Sequence, residues 1–261
     1  MRLATWNVNS IRTRVDRVVA FLERSGTDVL AMQETKCRED QFPHLAFQAA
    51  GYDVVHHGFN QWNGVAVASR VGISDVETAF TGMPTWADPP GAEARALGVT
   101  CDGVRVWSLY VPNGRVLHDP HYEYKLQWLS ALRGAAAGWL EGDPDAQIAL
   151  VGDWNIAPRD EDVWDVSLFE GATHVSPAER EAFRAFADVG FTEVTRPHVD
   201  QYTYWDYQRL RFPRNEGMRI DFVQASPALA ARVVGAEIDR NERKGKGASD
   251  HVPVIVDLES S

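Results

Sequence analysis

The chain has 261 residues, 44% of them hydrophobic and 24% charged, which permits a large buried core and excludes a disordered or fibrous form. Its two cysteines, Cys37 and Cys101, exclude a disulfide framework and, with no CxxC or Cys/His neighbourhood, a zinc centre. The formal net charge of −11, taken alone, argues against a nucleic-acid partner, because such binding draws its affinity from neutralised phosphates.

In chain order, RLATWN alternates and ends at Asn7, and a helical stripe of Val15, Val18, Val19 and Leu22 predicts a helix from about Arg12 to Arg24. DVLAMQ reads as a buried strand delivering Gln33 and Glu34 at its end. Asn63-Gly64 before GVAVAS, and Asp102-Gly103 before VRVWSLYV, predict tight turns beside antiparallel strands. A long helix is expected over about His121 to Glu141, followed by the strand AQIALVG ending at Gly152 and Asp153. SPAEREAF starts a helix with Ser176 as N-cap and Pro177 at its first position. RIDFVQAS and HVPVIVDL close the chain as strands.

Helices mixed with both hairpins and buried strands, without strict βα alternation, predict two packed mixed sheets flanked by helices: a four-layer α/β sandwich. A doubly wound parallel sheet competes with it on pattern alone. No Pro/Ser/Gly-rich linker interrupts residues 1–261, so a single domain is expected. The start MRLATWNVNS has no apolar run before a small-residue cleavage site, and no window approaches ~18 consecutive apolar residues, so a cytoplasmic place without membrane contact is expected.

Several strand-like runs finish in or beside a polar residue: Asn7, Glu34, Tyr110, Asp153 and the pair Asp250-His251, with Asp221 inside RIDFVQA. Each alone has an ordinary explanation, such as a turn, a cap or a structural tyrosine. A carboxylate in an apolar strand costs several kcal/mol unless it is paired or on a metal, so their joint occurrence points to one polar cleft. Carboxylates with amides and no Cys/His cluster suit a hard cation such as Mg²⁺ or Mn²⁺, the kind that phosphodiester hydrolysis uses. Three basic groups counter the acidic total: Arg12, Arg14 and Arg17; Arg209, Arg211, Arg214 and Arg219; and Arg240, Arg243, Lys244 and Lys246.

WNVNSIR, LAMQETK, NGVAVASR, YVPNGR, GDWNIAP, the RIDF run and SDHVPV follow one another across nearly the whole chain. Together they resemble the exonuclease III family of abasic-site endonucleases, in the DNase I-like superfamily. The resemblance implies the four-layer sandwich, a DNA-repair nuclease, and incision 5′ to abasic sites with trimming of 3′ ends. It implies a partner of duplex DNA carrying abasic sites or 3′ ends, with Mg²⁺ as cofactor and a monomer as the default. It makes Glu34 the principal metal ligand, with Asn7 and Asp250 beside or on the metal. Asp153 would position or deprotonate water, Asn155 would orient it, and His251 would bond the scissile phosphate while held by Asp221. Tyr110 and Asn113 match phosphate-contacting groups; the leaving oxygen could be stabilised by metal, Tyr110 or water.

Substrate choice is expected at the aromatic run containing Tyr204 and Trp205, with Met218 and Ile220 around a flipped-out sugar. By the same resemblance Arg115 is a candidate for contacting the duplex near the lesion, and Gln208 stands where relatives carry an intercalating side chain. Asn9 replaces the second acid of some relatives near the metal, which leaves the metal count open. Two other functions fit the same fold: hydrolysis of lipid, inositol or RNA phosphates, and a catalytically dead DNA-binding module. The absence of a hydrophobic loop cluster disfavours the first, and the presence of Glu34, Asp153 and His251 together disfavours the second.

Overall fold

The computed structural model describes residues 1–86, 91 and 93–259. In chain order its strands are β1 (Arg2–Asn7), β2 (Val29–Gln33), β3 (Asp53–His57), β4 (Val65–Ser69), β5 (Ser74–Glu77) and β6 (Ala96–Cys101). They continue as β7 (Val104–Tyr110), β8 (Ile148–Asp153), β9 (Thr192–Glu193), β10 (Asp221–Ala225), β11 (Val233–Ile238) and β12 (Val254–Leu258). The helices are α1 (Val15–Ser25), α2 (His44–Ala49), α3 (Pro120–Gly142), α4 (Pro177–Arg184), α5 (Arg211–Arg214) and α6 (Pro227–Ala230).

The strands form two six-stranded sheets, ordered β11-β12-β1-β2-β4-β3 and β5-β6-β7-β8-β10-β9. Each contains one parallel pair, β1 with β2 and β7 with β8, among antiparallel neighbours. Mixed pairing rules out the doubly wound alternative. Val, Ala and Leu on the inner faces, among them Val29, Val67, Val99, Val106, Val151 and Val223, make the core between the sheets. The outer face of the first sheet packs on α1 and α2 through Trp6, Phe21, Leu22 and Phe47. That of the second packs on α3 and α4 through Trp107, Trp128, Trp154 and Phe183. Each sheet is therefore apolar on both faces, which is why its central strands read as nearly continuous apolar runs. The result is the four-layer sandwich.

One polar link crosses the inner core. Gln33 Nε2 donates to Thr5 Oγ1 and to Ser108 Oγ, both at 3.0 Å, and Ser108 donates to the Met32 carbonyl at 2.9 Å. An unpaired amide there would cost about 1–3 kcal/mol, so the bonds favour one relative placement of the sheets just below the polar strand ends. Gly152 serves close approach: with φ 149°, a Cβ there would strike the Leu109 carbonyl of β7.

Two expectations shift locally. The helix forecast from Arg12 begins as a single 3₁₀ turn, Ile11–Thr13, and becomes α-helical only at Val15, because Arg14 (φ −131°, ψ 8°) breaks the ladder. Asn63-Gly64 is not a two-residue turn, since β3 ends at His57 and β4 starts at Val65. Its left-handed residues instead turn their carbonyls to the amides of Lys36 and Thr35, clamping the segment after β2. Asp102-Gly103 does form the tight turn, with both φ positive and Cys101 paired to Val104. Among the described residues no helix is long and apolar enough to cross a membrane.

Candidate active site

Strand register assembles the site. In the second sheet Tyr110 pairs with Asp153 across the parallel β7–β8 ladder, and Asp153 pairs with Asp221 across the antiparallel β8–β10 ladder, so three polar residues form one row. In the first sheet Asn7 pairs with Gln33, which puts Glu34 one residue beyond the row. Because both rows lie at the same edge of the sandwich, Asn7 Nδ2 reaches Glu34 Oε1 at 2.8 Å and Asp153 Oδ2 at 3.0 Å. Of these, Glu34, Tyr110 and Asp153 line a cleft of about 400 Å³ with Tyr204, Met218, Ile220, Asp250 and His251, while Asn7 and Asp221 support it from behind.

His251 and Asp221 are a buried pair, with Nδ1 2.8 Å from Asp221 Oδ2. Thr203 Oγ1 donates to the same oxygen at 2.6 Å. The other ring nitrogen, Nε2, lies 3.7 Å from Asp153 Oδ2. Burial alone would lower the imidazole pKa, but the Asp221 and Asp153 charges outweigh it and hold the ring well above its usual range. Asp153 is raised as well: burial pushes its carboxyl up, as do Asp221 and Glu34, while His251 and the Asn155 backbone N–H oppose this.

Glu34 sits at φ 52°, a strained backbone for a side chain with a Cβ, and such strain persists where neighbours hold it. Burial raises its carboxyl pKa, yet Lys36, whose Nζ lies 2.7 Å from Oε2, and Asn7 bring it below the usual value. Among the described residues, one atom each from Glu34, Asp153 and His251 lie within 4.8 Å of one another. Two carboxylates facing one space form a hard-oxygen donor set of the kind a divalent cation takes.

Asn7 turns its amide nitrogen to this pair, while its oxygen accepts the Asn9 N–H at 3.0 Å. It thus braces the carboxylates as a donor. Asp250 lines the cleft but accepts from Asn9 Nδ2 at 3.1 Å and stands outside the three-residue cluster. Asn155 (φ 50°) donates to the Val111 carbonyl at 2.9 Å, and its Oδ1 lies 3.3 Å from Asn113 Nδ2. The Tyr110 hydroxyl is kept protonated well above its ordinary pKa by burial and by Glu34 and Asp153, against Arg95.

The rim departs further from expectation. Tyr204 lines the cleft with its ring 4.9 Å from that of His251, and Met218 and Ile220 form an apolar wall with Ala157 and Val163. Trp205 does not line it. Burial alternates along the segment, with Thr203 and Trp205 buried and Tyr204 half-buried, and the indole is fully buried among Ile238, Val252 and Val254. The same alternation sends the Thr203 hydroxyl inward to Asp221. Gln208 is exposed on a loop, and Arg115 is exposed with its guanidinium 5.5 Å from the Trp86 ring. Of the basic groups, Arg219 is buried and donates to Val199 O and Thr195 Oγ1 rather than facing solvent. Arg12, Arg14, Arg17 and Lys246, from the first and third groups, do meet around one depression.

Sequence reasoning missed four residues. Thr203 lay within the aromatic run, and Lys36 directly follows the QET motif. Tyr207, whose hydroxyl receives Arg14 Nη2 at 3.1 Å and Asn9 Nδ2 at 3.3 Å, closes the same run, TYWDY. His174 lines the cleft with Nε2 3.1 Å from Asn155 Oδ1, and burial and Lys125 bring its pKa down to about 3, so the ring is neutral. The one available signal was its place two residues before the N-cap Ser176.

Residues 4–251 match the profile of the endonuclease/exonuclease/phosphatase family. The chain is 28% identical to exodeoxyribonuclease III of Haemophilus influenzae, over 97% of this chain and 98% of that one. Among solved structures it is similar to a 3′ phosphatase from Neisseria bound to a product DNA hairpin, at 34% identity and TM-score 0.93, with both chains fully covered. It is also similar to an AP endonuclease from Archaeoglobus fulgidus, at 32% identity and TM-score 0.91, again with full coverage.

Proposed function

Because the chain belongs to the endonuclease/exonuclease/phosphatase family, we propose that its cleft hydrolyses phosphate esters of duplex DNA in repair, trimming 3′ ends and incising 5′ to abasic sites to leave a 3′ hydroxyl. The observation that carries this reading is the strand-end row joining Tyr110, Asp153 and Asp221 to His251 and Glu34 in one cleft. Relatives named as exodeoxyribonuclease III, 3′ phosphatase and AP endonuclease support the substrate class.

Glu34 and the neighbouring carboxylates would hold Mg²⁺, which when bound supplies Lewis-acid polarisation of the phosphate. His251, kept protonated by Asp221, donates to a non-bridging phosphate oxygen and opposes the charge that builds on it. Asp153 Oδ2 faces the cleft and takes the proton of the attacking water, while its Oδ1 is occupied by the Asn155 amide at 2.9 Å. Tyr110, protonated, offers its hydroxyl as a donor at the phosphate or the leaving oxygen. The Tyr204, Met218 and Ile220 wall receives the deoxyribose. The depression between Arg12, Arg14, Arg17 and Lys246 offers a track for backbone phosphates that the acidic remainder does not. The protein is proposed to act as a monomer in the cytoplasm.

The test sets purified protein against duplexes carrying an abasic site, a 3′ phosphate, a recessed 3′ end and a blunt end, with Mg²⁺ or with chelator. Wild-type cleavage should require Mg²⁺ and exceed that of Asp153→Asn by about 10³-fold or more. Equal rates for the two proteins, or duplex binding without cleavage, would remove the reading.

A further inference from the structure

Lys125 of α3 and Glu179 of α4 form an ion pair with Nζ 2.5 Å from Oε1, both side chains fully buried. Desolvation of such a pair roughly cancels its attraction, and apolar residues of similar size would join the two helices as well. The pair does something that apolar residues cannot. Lys125 Nζ also donates to the backbone carbonyls of Asn155 at 2.6 Å and Asn113 at 3.2 Å. Glu179 Oε1 accepts the His174 N–H at 2.9 Å, and Oε2 accepts from Ser176 N at 3.2 Å and Ser176 Oγ at 2.6 Å.

Three loops therefore meet on one buried pair: those after β7 and β8, and the one before α4. Each places a side chain at the cleft, Asn113, Asn155 and His174, with Asn155 Oδ1 3.1 Å from His174 Nε2 and 3.3 Å from Asn113 Nδ2. Asn155 and His174 have φ of 50° and 75°, conformations that cost energy and need support. Gly114, at φ 90°, packs so closely on the Lys125 chain that a Cβ would lie 3.1 Å from its Cδ.

We propose that the Lys125–Glu179 pair is a positioning device for hydrolysis, holding the Asn113, Asn155 and His174 loops in register around the scissile phosphate. This rests on the nuclease reading above. Lys125 touches no substrate; it acts through the carbonyl of Asn155, whose side chain orients the water or a phosphate oxygen.

The experiment compares wild type, Lys125→Met and the double variant Lys125→Met/Glu179→Gln by steady-state cleavage of a 3′-phosphate duplex, thermal unfolding and amide hydrogen exchange. Lys125→Met should lower kcat by at least ~10-fold with KM changed by less than about threefold, since misplacement acts on the reacting geometry rather than on DNA affinity. Its unfolding temperature should also fall, because Glu179 is left charged and unpaired. In the double variant no charge is left unpaired, and the Gln oxygen can still accept either the His174 N–H or the Ser176 donors, so thermal stability should return in large part while kcat stays low. Recovery of kcat together with stability, or an unchanged kcat in Lys125→Met, would overturn the proposal and leave the pair a packing element. If wild type cleaves no duplex, the nuclease reading fails, but exchange at residues 111–115 and 153–157 still decides the positioning claim. It should be faster in the double variant than in wild type, and equal rates would refute it.

Discussion

The floor of the cleft and its rim are built by different means. On the floor, Asn7, Tyr110, Asp153 and Asp221 sit on strand ends whose ladders fix their spacing, and each polar group meets a buried partner at hydrogen-bond distance or beside a charge. On the rim, Gln208, Arg115 and Tyr207 stand on loops, exposed, and Tyr207 reaches the floor only through Asn9 and Arg14. A floor set by register should tolerate almost no chemical change, whereas a rim made of loops should trade one substrate for another at small cost.

The sharpest way to break that contrast is at Asp221, which never faces substrate. Asp221→Asn keeps an oxygen that can accept both the His251 Nδ1–H and the Thr203 hydroxyl, but removes the charge that holds the imidazolium. A fall in kcat of about 10²-fold is expected, with unfolding free energy changed by no more than about 2 kcal/mol. Steady-state kinetics beside a denaturant titration check both. A drop of less than threefold would show that His251 does not need its charge and that the floor is less exacting than its geometry implies.

The same division explains what could be read in the amino-acid string. β1, β2, the Asp102-Gly103 turn and the N-cap at Ser176 before Pro177 rest on local signals, an apolar run, a turn dipeptide and a side-chain cap, so they were legible. Floor residues stood out because a carboxylate at the end of an apolar strand needs a reason. Rim residues carry no such contradiction. Trp205 beside Tyr204 looked like a second wall, and only the direction of one segment sends it inward. Lys125 was hidden for the opposite reason: a lysine in a helical pattern reads as a solvated face, and its burial depends on Glu179, more than fifty positions away. His174 precedes a helix like any loop residue, and its neutral state comes from burial that no local pattern reports.

The corrected place of Trp205 gives the next test. Trp205→Ala should cost roughly 3–5 kcal/mol of stability, as for other large buried aromatics, because it empties the cluster with Ile238, Val252 and Val254. Tyr204→Ala, at the cleft surface, should cost about 1–2 kcal/mol and instead raise KM for DNA. Thermal unfolding and KM measured on both variants separate core from rim. A Trp205→Ala protein that melts like wild type yet binds DNA poorly would return the indole to the wall.

The smallest expected effect is also the one most specific to the rim. His174 shares its cleft with Met218 and Ile220, and its imidazole takes up room on the side where a deoxyribose without a base would enter. A terminal 3′ phosphate asks for less of that room than a flipped internal sugar continued by chain on both sides. His174→Gly keeps the positive φ acceptable and leaves the backbone N–H to Glu179, so the loop should hold its path while the cleft widens. Incision at an abasic site relative to 3′-phosphate removal, measured on the two duplexes in parallel, should rise by about threefold to tenfold, the scale on which a modest change in pocket fit acts. An unchanged ratio would mean that the sugar is read elsewhere, and that His174 serves only to support Asn155 on the floor.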